Sequence, residues 1–223
     1  MKLETVLDNQ VQASGGYEAV ERLNSLQIEF HLEEPTFAVD GTYSARRANQ
    51  MRVDIFADGV RVFSEGLNGT QGWQLQQNDS NSRPTSLAGT RALQQGIDNQ
   101  LFGLHELPAR GHQLALLDQE TVDGTDYFVI QVAYSDGDIA WRFINALSWR
   151  MERSRKRAAL HPDVDPTETT LDTLYADFRE VDGLVRPFQE TQIDLNTGET
   201  VQTTTVKSIS LNPTFADDYF IAP

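Results

Sequence analysis

The side chains with the clearest chemical potential in this sequence are basic. Arg150, Arg153, Arg155, Lys156 and Arg157 form one dense cationic cluster in a chain whose formal net charge is -15. Strict alternation puts Trp149 and Met151 on the face of Arg153, Arg155 and Arg157, so an apolar half-strand runs into a cationic one. That order suits an acyl chain with an anionic head group. It equally suits a solvated strand end facing the protein's own carboxylates, or a docking patch for a protein or an anionic membrane. Arg47 is the other singular cation. It shares parity with the apolar set Phe37, Val39, Tyr43 and Ala45, and a guanidinium on such a face either finds acceptors or stays wet.

Nothing in the sequence spells out catalysis. There is no Gly-x-Ser-x-Gly elbow, phosphate loop or dinucleotide fingerprint, and no carboxylate pair is placed by spacing for acid–base work. His31, His105, His112 and His161 do not pair at helical spacing, so no metal signature arises. The acidic stretch His161–Glu168 lacks the central glycine and spaced acceptors of a calcium loop. The chain has no cysteine, which excludes disulfides, thiolate metal sites and cysteine nucleophiles. The expectation is a protein that is not an enzyme, with no cofactor and no metal.

Composition narrows the partners. With 39% hydrophobic residues in 223 the chain can build a core, while a mean hydropathy of -0.44 and the lack of any apolar run near ~20 residues leave no spanning helix. A pI near 4.5 argues against nucleic acid, because phosphate contacts require clustered cations. Met1–Asp8 carries no hydrophobic signal core, which fits either a cytosolic chain or a mature domain whose leader has been removed.

The elements that position these residues follow from periodicity. Leu3, Val6, Leu7 and Val11, then Tyr17, Val20 and Leu23, predict helix over 2–25 with a break at Gly15-Gly16. The period then becomes two, with strands over Leu26–Leu32, Phe37–Ala45, Met51–Ile55, Val60–Gly66 and Trp73–Gln77. Residues 78–86 read as an exposed loop. A helix is expected over 87–107, breaking at Leu107-Pro108. Strands resume at Gln113–Glu120, Tyr127–Tyr134, Ile139–Asn145 and Trp149–Arg157. The closing part is a meander, turning at Asp182-Gly183 and Asn196-Thr197-Gly198. Short links predict antiparallel neighbours, and the two helical stretches are the available cover for the apolar face. The fold class is mainly β with helices (α+β): a single domain over 1–223, a curved antiparallel sheet forming an unclosed β-barrel with helices on its concave face. Trp73, Trp141, Phe143 and Trp149 fall on alternating strand positions, as core residues or, in an open barrel, as cavity lining.

Three stretches resemble the LolA/LolB-like periplasmic lipoprotein carrier superfamily. Tyr43-Ser-Ala-Arg-Arg47-Ala-Asn-Gln-Met51 is similar to that family's basic corner between strands, with Ala48 where a proline is usual. Asn68-Gly-Thr-Gln-Gly-Trp73 is similar to its Asp-Gly-x-x-x-Trp hairpin, with Asn68 for the aspartate. Tyr175–Phe188, with Asn212-Pro213 and Phe220-Ile-Ala-Pro223, resembles the outer-membrane lipoprotein-sorting branch.

The resemblance implies an unclosed half-barrel with a helical lid over a hydrophobic cavity, and a latch in which Arg47 bonds the backbone of the lid helices. It also implies a periplasmic protein, possessing a leader outside this sequence and peripheral to the outer membrane if attached there. Its role would be non-enzymatic binding or transport of a lipid, a lipoprotein acyl chain or another apolar ligand. Expected ligand contacts are Phe37, Val39, Tyr43, Arg47, Met51, Trp73, Trp141, Phe143, Trp149, Met151, Arg153 and Arg155, with a membrane or protein partner at Arg150–Arg157. A protein-interaction or sensory module on the same fold is the alternative. The sequence lacks the exposed hydrophobic loop of a membrane-anchored acceptor and a lipidation cysteine.

Overall fold

The computed structural model describes all of residues 1–223. Three α-helices occur: α1 (Leu3–Ala13), α2 (Tyr17–Arg22) and α3 (Leu87–Leu101), with a 3-10 helix at Leu104–Arg110. The strands in chain order are β1 (Ser25–Glu34), β2 (Phe37–Arg46), β3 (Gln50–Ala57), β4 (Val60–Asn68), β5 (Gln71–Gln76), β6 (Arg83–Pro84), β7 (Gln113–Leu116), β8 (Glu120–Val122), β9 (Thr125–Ala133), β10 (Ile139–Asn145), β11 (Met151–Ala158), β12 (Thr169–Val181), β13 (Leu184–Asp194) and β14 (Glu199–Leu211). All belong to one antiparallel sheet in the order β6-β5-β4-β3-β2-β1-β14-β13-β12-β11-β10-β9-β7, with β8 also on β9. The sheet is not closed: β6 and β7 are its two ends. The α+β class expected from the alternating pattern is the class observed.

Contacts divide the chain into two compact units. The first comprises 1–22, 102–158 and 168–201; the second comprises 23–101, 159–167 and 202–223. In the first, Val6 of α1 and Leu104 and Leu107 of the 3-10 helix pack on Phe128, Ile130, Val132, Tyr134, Ala140 and Ile144. These strand residues alternate to one face of β9 and β10, the apolar face that α1 covers. In the second, α3 packs against β2, β3, β4 and β5.

Several boundaries depart from the sequence reading. The helix expected over 87–107 stops at Leu101, and the 3-10 helix then runs through Pro108. Gly103 resets the chain: its N–H donates to Glu106 Oε2 at 2.8 Å, and its carbonyl accepts from the Glu106 N–H at 2.9 Å. A Cβ at Gly103 would lie 2.6 Å from the His105 ring, so a larger residue at this corner would have to displace that imidazole. The strand expected over Gln113–Glu120 is two, β7 and β8, which pair with opposite ends of β9. The 78–86 loop contains the short β6, held to β5 through Trp73 and Pro84. The turn expected at Asp182-Gly183, like those at Asp58-Gly59 and Asp123-Gly124, carries two successive positive φ angles, the geometry a twisted two-residue hairpin requires.

Candidate functional site

The face of the second unit that carries α3 is built in cross-strand rows. Leu26, Ala45, Met51 and Leu67 form one row; Ile28, Tyr43, Val53 and Glu65 the next; Phe30, Gly41, Ile55 and Phe63 a third. The helix lies on this side, because a Cβ on Gly72, the partner of Leu67, would meet Thr90 of α3 at 2.7 Å. The first row is fully buried, with Leu26, Ala45 and Leu67 at 0% exposure and Met51 at 2%. In the other two rows Tyr43, Val53, Ile55 and Phe63 are only half-buried. Large apolar side chains on a covered face normally pack out of water; a set left half-accessible is a surface that an apolar ligand could complete. Val39 continues this parity half-buried, and Phe37 at the strand start is 45% exposed.

Arg47 follows β2 directly, at the fully buried end of these rows. Its Nε donates to the carbonyl of Leu23 at 2.5 Å and its NH2 to the carbonyl of Leu101 at 3.0 Å. Its own N–H donates to the carbonyl of Asn24 at 2.9 Å. Leu101 is the last residue of α3, where carbonyls lack intrahelical donors and the helix dipole is negative. A guanidinium satisfies both needs with one rigid fork.

Glu65 is the unexpected member of the second row. It makes no hydrogen bond or ion pair within the chain, and burial, reinforced by the Asp163 charge and opposed by His161, pushes its carboxyl up to about 7. Asp163 and His161 belong to the 159–167 loop. Asp163 Oδ1 accepts from the Ser86 N–H at 2.6 Å, next to the first residue of α3, and His161 Nε2 lies 2.7 Å from Glu34 Oε1. The loop read as merely acidic is therefore fastened at His161 and Asp163. Glu65 escaped the sequence reading although it sits between Phe63 and Leu67 on the apolar parity, which was the signal available. Val53, Ile55 and Phe63 were legible as strand residues, but their partial exposure depends on how far α3 reaches.

Trp73 lies elsewhere. It faces the opposite side of β5, over Gly66, where a Cβ would come within 2.6 Å of its ring. Its Nε1 donates to the Phe220 carbonyl at 3.1 Å, and Arg52 stacks on Trp73 and Tyr219 at 5.6 and 5.3 Å. The carboxy-terminal Tyr219-Phe220 covers this face, with Phe220 at 0% exposure. Trp73 is thus not brought together with Tyr43 and Met51.

In the first unit the alternation assumed along β11 fails. Arg153 pairs with Phe143, but Met151 pairs with Ile144, the shift absorbing Glu152 as a bulge. A bulge reverses parity, so Met151 faces the α1-covered side while Arg153 and Arg155 face the other. Glu152 earns its place by accepting from Asn145 Nδ2 at 2.8 Å and Ser148 Oγ at 2.7 Å. Trp149 precedes the strand with φ of 59° and stacks on Phe128 at 5.1 Å, on the side of Met151. The continuous apolar-to-cationic face read from the sequence is corrected accordingly.

Trp141 and Phe143 pack with Tyr127 and Val129 on the far side. Beside them Arg153 donates to Asp172 at 2.8 Å and Asp123 at 2.7 Å, and Arg155 to Asp172 at 3.3 Å while lying 5.1 Å over the Phe143 ring. Arg150 lies over Phe178 and Arg157 pairs with Glu168 at 3.2 Å. The cationic cluster is therefore divided between faces, and its arginines on this side are engaged within the chain. No group of three or more His, Asp and Glu side chains is placed to hold a metal ion, and no helix is long and apolar enough to cross a membrane.

Comparison with known proteins places the fold. No protein-family model matches the sequence and no curated protein matches it. Solved structures do. A LolA superfamily protein from Nitrosomonas europaea is similar at a TM-score of 0.64 and 12% identity, covering 98% of this chain and 97% of that one. A DUF1329 family protein from Desulfovibrio piger is similar at 0.63 and 12%, covering 98% and 96%. A domain from Vibrio parahaemolyticus, described as an outer-membrane lipoprotein-sorting protein, is similar at 0.63 and 10%, covering 99% and 97%. At such identities the likeness is one of fold, and the fold is LolA-like.

Proposed function

We propose that this LolA-like chain is a non-enzymatic, periplasmic binding protein that carries a lipid, a lipoprotein acyl chain or another apolar ligand against the α3-covered face of β2, β3 and β4. The observation that carries the reading is the half-buried set Tyr43, Val53, Ile55 and Phe63 beside a fully buried row on the same face. Val39 and Phe37 would extend that surface along β2, and Met51 would form its floor. Each methylene transferred from water contributes about 0.8 kcal/mol, so even part of an acyl chain would offset the cost of ordering it.

Arg47 would govern access. By tying the last carbonyl of α3 to the end of β2 it would hold the helix over the rows, and release would require those bonds to open. Trp149 and Met151 pack on the α1-covered side of the first unit and are not contacts of this surface. Trp73, Trp141, Phe143, Arg153 and Arg155 pack elsewhere and are better read as structural.

Native mass spectrometry of gently purified protein tests the reading. A bound apolar species lost on delipidation and regained from lipid extract is expected. Protein that is empty as isolated and takes up no alkyl ligand would overturn it.

A further inference from the structure

The α1-covered face of the first unit contains a polar inset that the apolar reading does not use. Arg142, Ser154, Thr173 and Gln192 form one cross-strand row, and Ala140, Lys156, Leu171 and Asp194 the row beside it. Arg142 is 4% exposed and Ser154 6%. Arg142 donates to Tyr134 Oη at 2.6 Å, and Ser154 Oγ lies 3.0 Å from Tyr175 Oη, with Tyr175 directly opposite Glu190 on the next strand. Lys156 differs from the other cations of β11. It points to this side, and no hydrogen bond or ion pair engages its ammonium.

Lys156, Tyr175 and Glu190 are half-buried, yet burial is the leading cause of a shift in each. The Lys156 ammonium is held below its ordinary range by burial and then by Arg142, with Asp138 opposing. The Tyr175 phenol is pushed up to about 12 by burial and then by Glu190, opposed by Arg142 and the Ser154 hydrogen bond. The Glu190 carboxyl is raised by burial, with Arg186 opposing. The three groups lie on one face, in the cross-strand rows on either side of the buried Arg142 and Ser154. An ammonium there, bonded to no carboxylate, drawn only by the charge of Asp138 and with a guanidinium beside it, is an arrangement that an added anion would stabilise.

We propose that Lys156 and Arg142, with the Ser154 and Tyr175 hydroxyls, form a recognition site for an anionic oxyacid group, the carboxylate or phosphate head of an amphiphile. Lys156 supplies a point charge, Arg142 fixes the electrostatic floor, and the Ser154–Tyr175 hydroxyl pair, with one proton held between them, donates the other to a remaining oxygen. Glu190 and Asp138 limit the site to one such group, since a second anion would face their carboxylates. The site is independent of the α3-covered rows and requires no alkyl tail.

The test compares dodecanoate, dodecyl phosphate and dodecanol at neutral pH in wild type, Lys156→Met and Lys156→Arg, with inorganic phosphate titrated separately against the lysine side-chain NMR signals. Charge-assisted hydrogen bonds lead us to expect an acid bound about ten-fold or more tighter than the alcohol. That preference should vanish in Lys156→Met and survive in Lys156→Arg, and phosphate should shift the Lys156 signal saturably. Which acid binds tighter identifies the oxyacid. Equal affinity for acid and alcohol in wild type, or a preference unchanged in Lys156→Met, would overturn the site. If no alkyl compound binds, the apolar-ligand reading falls, and phosphate decides this one alone: a saturable shift of Lys156 upholds it and an unmoved signal refutes it. Methionine keeps the length of the stem, and a thermal melt verifies that the variant folds.

Discussion

Arg47 and Leu101 are 54 positions apart, and the guanidinium of one donates to the carbonyl of the other at 3.0 Å. The same side chain donates to the Leu23 carbonyl, so one residue at the end of β2 fixes the end of α3 and the start of the segment leading into β1. Arg47→Leu removes both charge-assisted bonds, and a loss of about 2 kcal/mol is expected. Hydrogen exchange in the last turn of α3 should accelerate about ten-fold or more, with faster ligand release. Arg47→Lys should recover part of the loss, since an ammonium lacks the fork. Unchanged exchange and release in Arg47→Leu would remove the latch.

Glu65 should make stability depend on pH. Its carboxyl is raised from 4.5 to about 7 in the folded chain, so between those values the folded state holds a proton that the unfolded state has lost. Stability therefore falls as pH rises through that window, is lowest above about pH 7 as far as this group is concerned, and recovers on acidification; the gap is worth about 3 kcal/mol. Glu65→Gln removes the ionising group, so the variant should gain up to about that amount above neutrality and little near pH 4.5. Urea denaturation at several pH values, compared as the difference between the two proteins, isolates Glu65 from His161 and Asp163. Parallel curves would show that the carboxyl is well solvated.

Asp172 anchors two cations with a side chain 1% exposed, accepting from Arg153 and Arg155. Asp172→Ala strands Arg155 and leaves Arg153 with Asp123 alone, and a cost of about 3–5 kcal/mol is expected. The network is nevertheless incomplete, since Asp172 Oδ1 and the Nε atoms of Arg153 and Arg155 are buried without partners. Replacing the pair together, Asp172→Leu with Arg153→Met, should therefore cost much less than Asp172→Ala alone. Equilibrium unfolding of both variants decides. A double variant as unstable as the single one would mean that the charges contribute more than their desolvation takes away.

What was legible in the sequence was whatever depended on local rules. Alternation in Leu26–Leu32 and Phe37–Ala45 gave β1 and β2, and Asp-Gly pairs located the hairpins, because both signals act over two to four residues. The Arg47 parity pointed to a guanidinium in need of acceptors, though not to the carbonyls that supply them, which lie in other elements. The face of Met151 was misread because Glu152 inserts a bulge, whose cause is Glu152 bonding Asn145 and Ser148 rather than any periodicity. Trp73 and Phe220 share a hydrogen bond across 147 positions, a separation at which pattern carries no information. Glu65 and Lys156 were ordinary charged residues in the sequence and became notable only through the face on which each lies.

Gly15 and Gly16 separate two glycine requirements that the sequence could only merge into a break between helices. Both have positive φ, 118° and 88°. A Cβ on Gly15 would lie 2.1 Å from the Gly183 carbonyl oxygen, whereas on Gly16 it would meet only the Gln12 side chain at 3.4 Å. Beside that contact the Val185 N–H donates to the Ser14 carbonyl at 3.0 Å, so the corner after α1 rests on the β12–β13 turn. Gly16→Ala should cost about 1 kcal/mol, the conformational penalty alone. Gly15→Ala adds a backbone collision that no rotamer relieves and should cost about 2–4 kcal/mol. Its effect should also reach further, with exchange at the Val185 amide rising in Gly15→Ala and staying at the wild-type rate in Gly16→Ala. Equal losses in the two variants would mean that φ alone sets the requirement and that the close approach to Gly183 relaxes without cost.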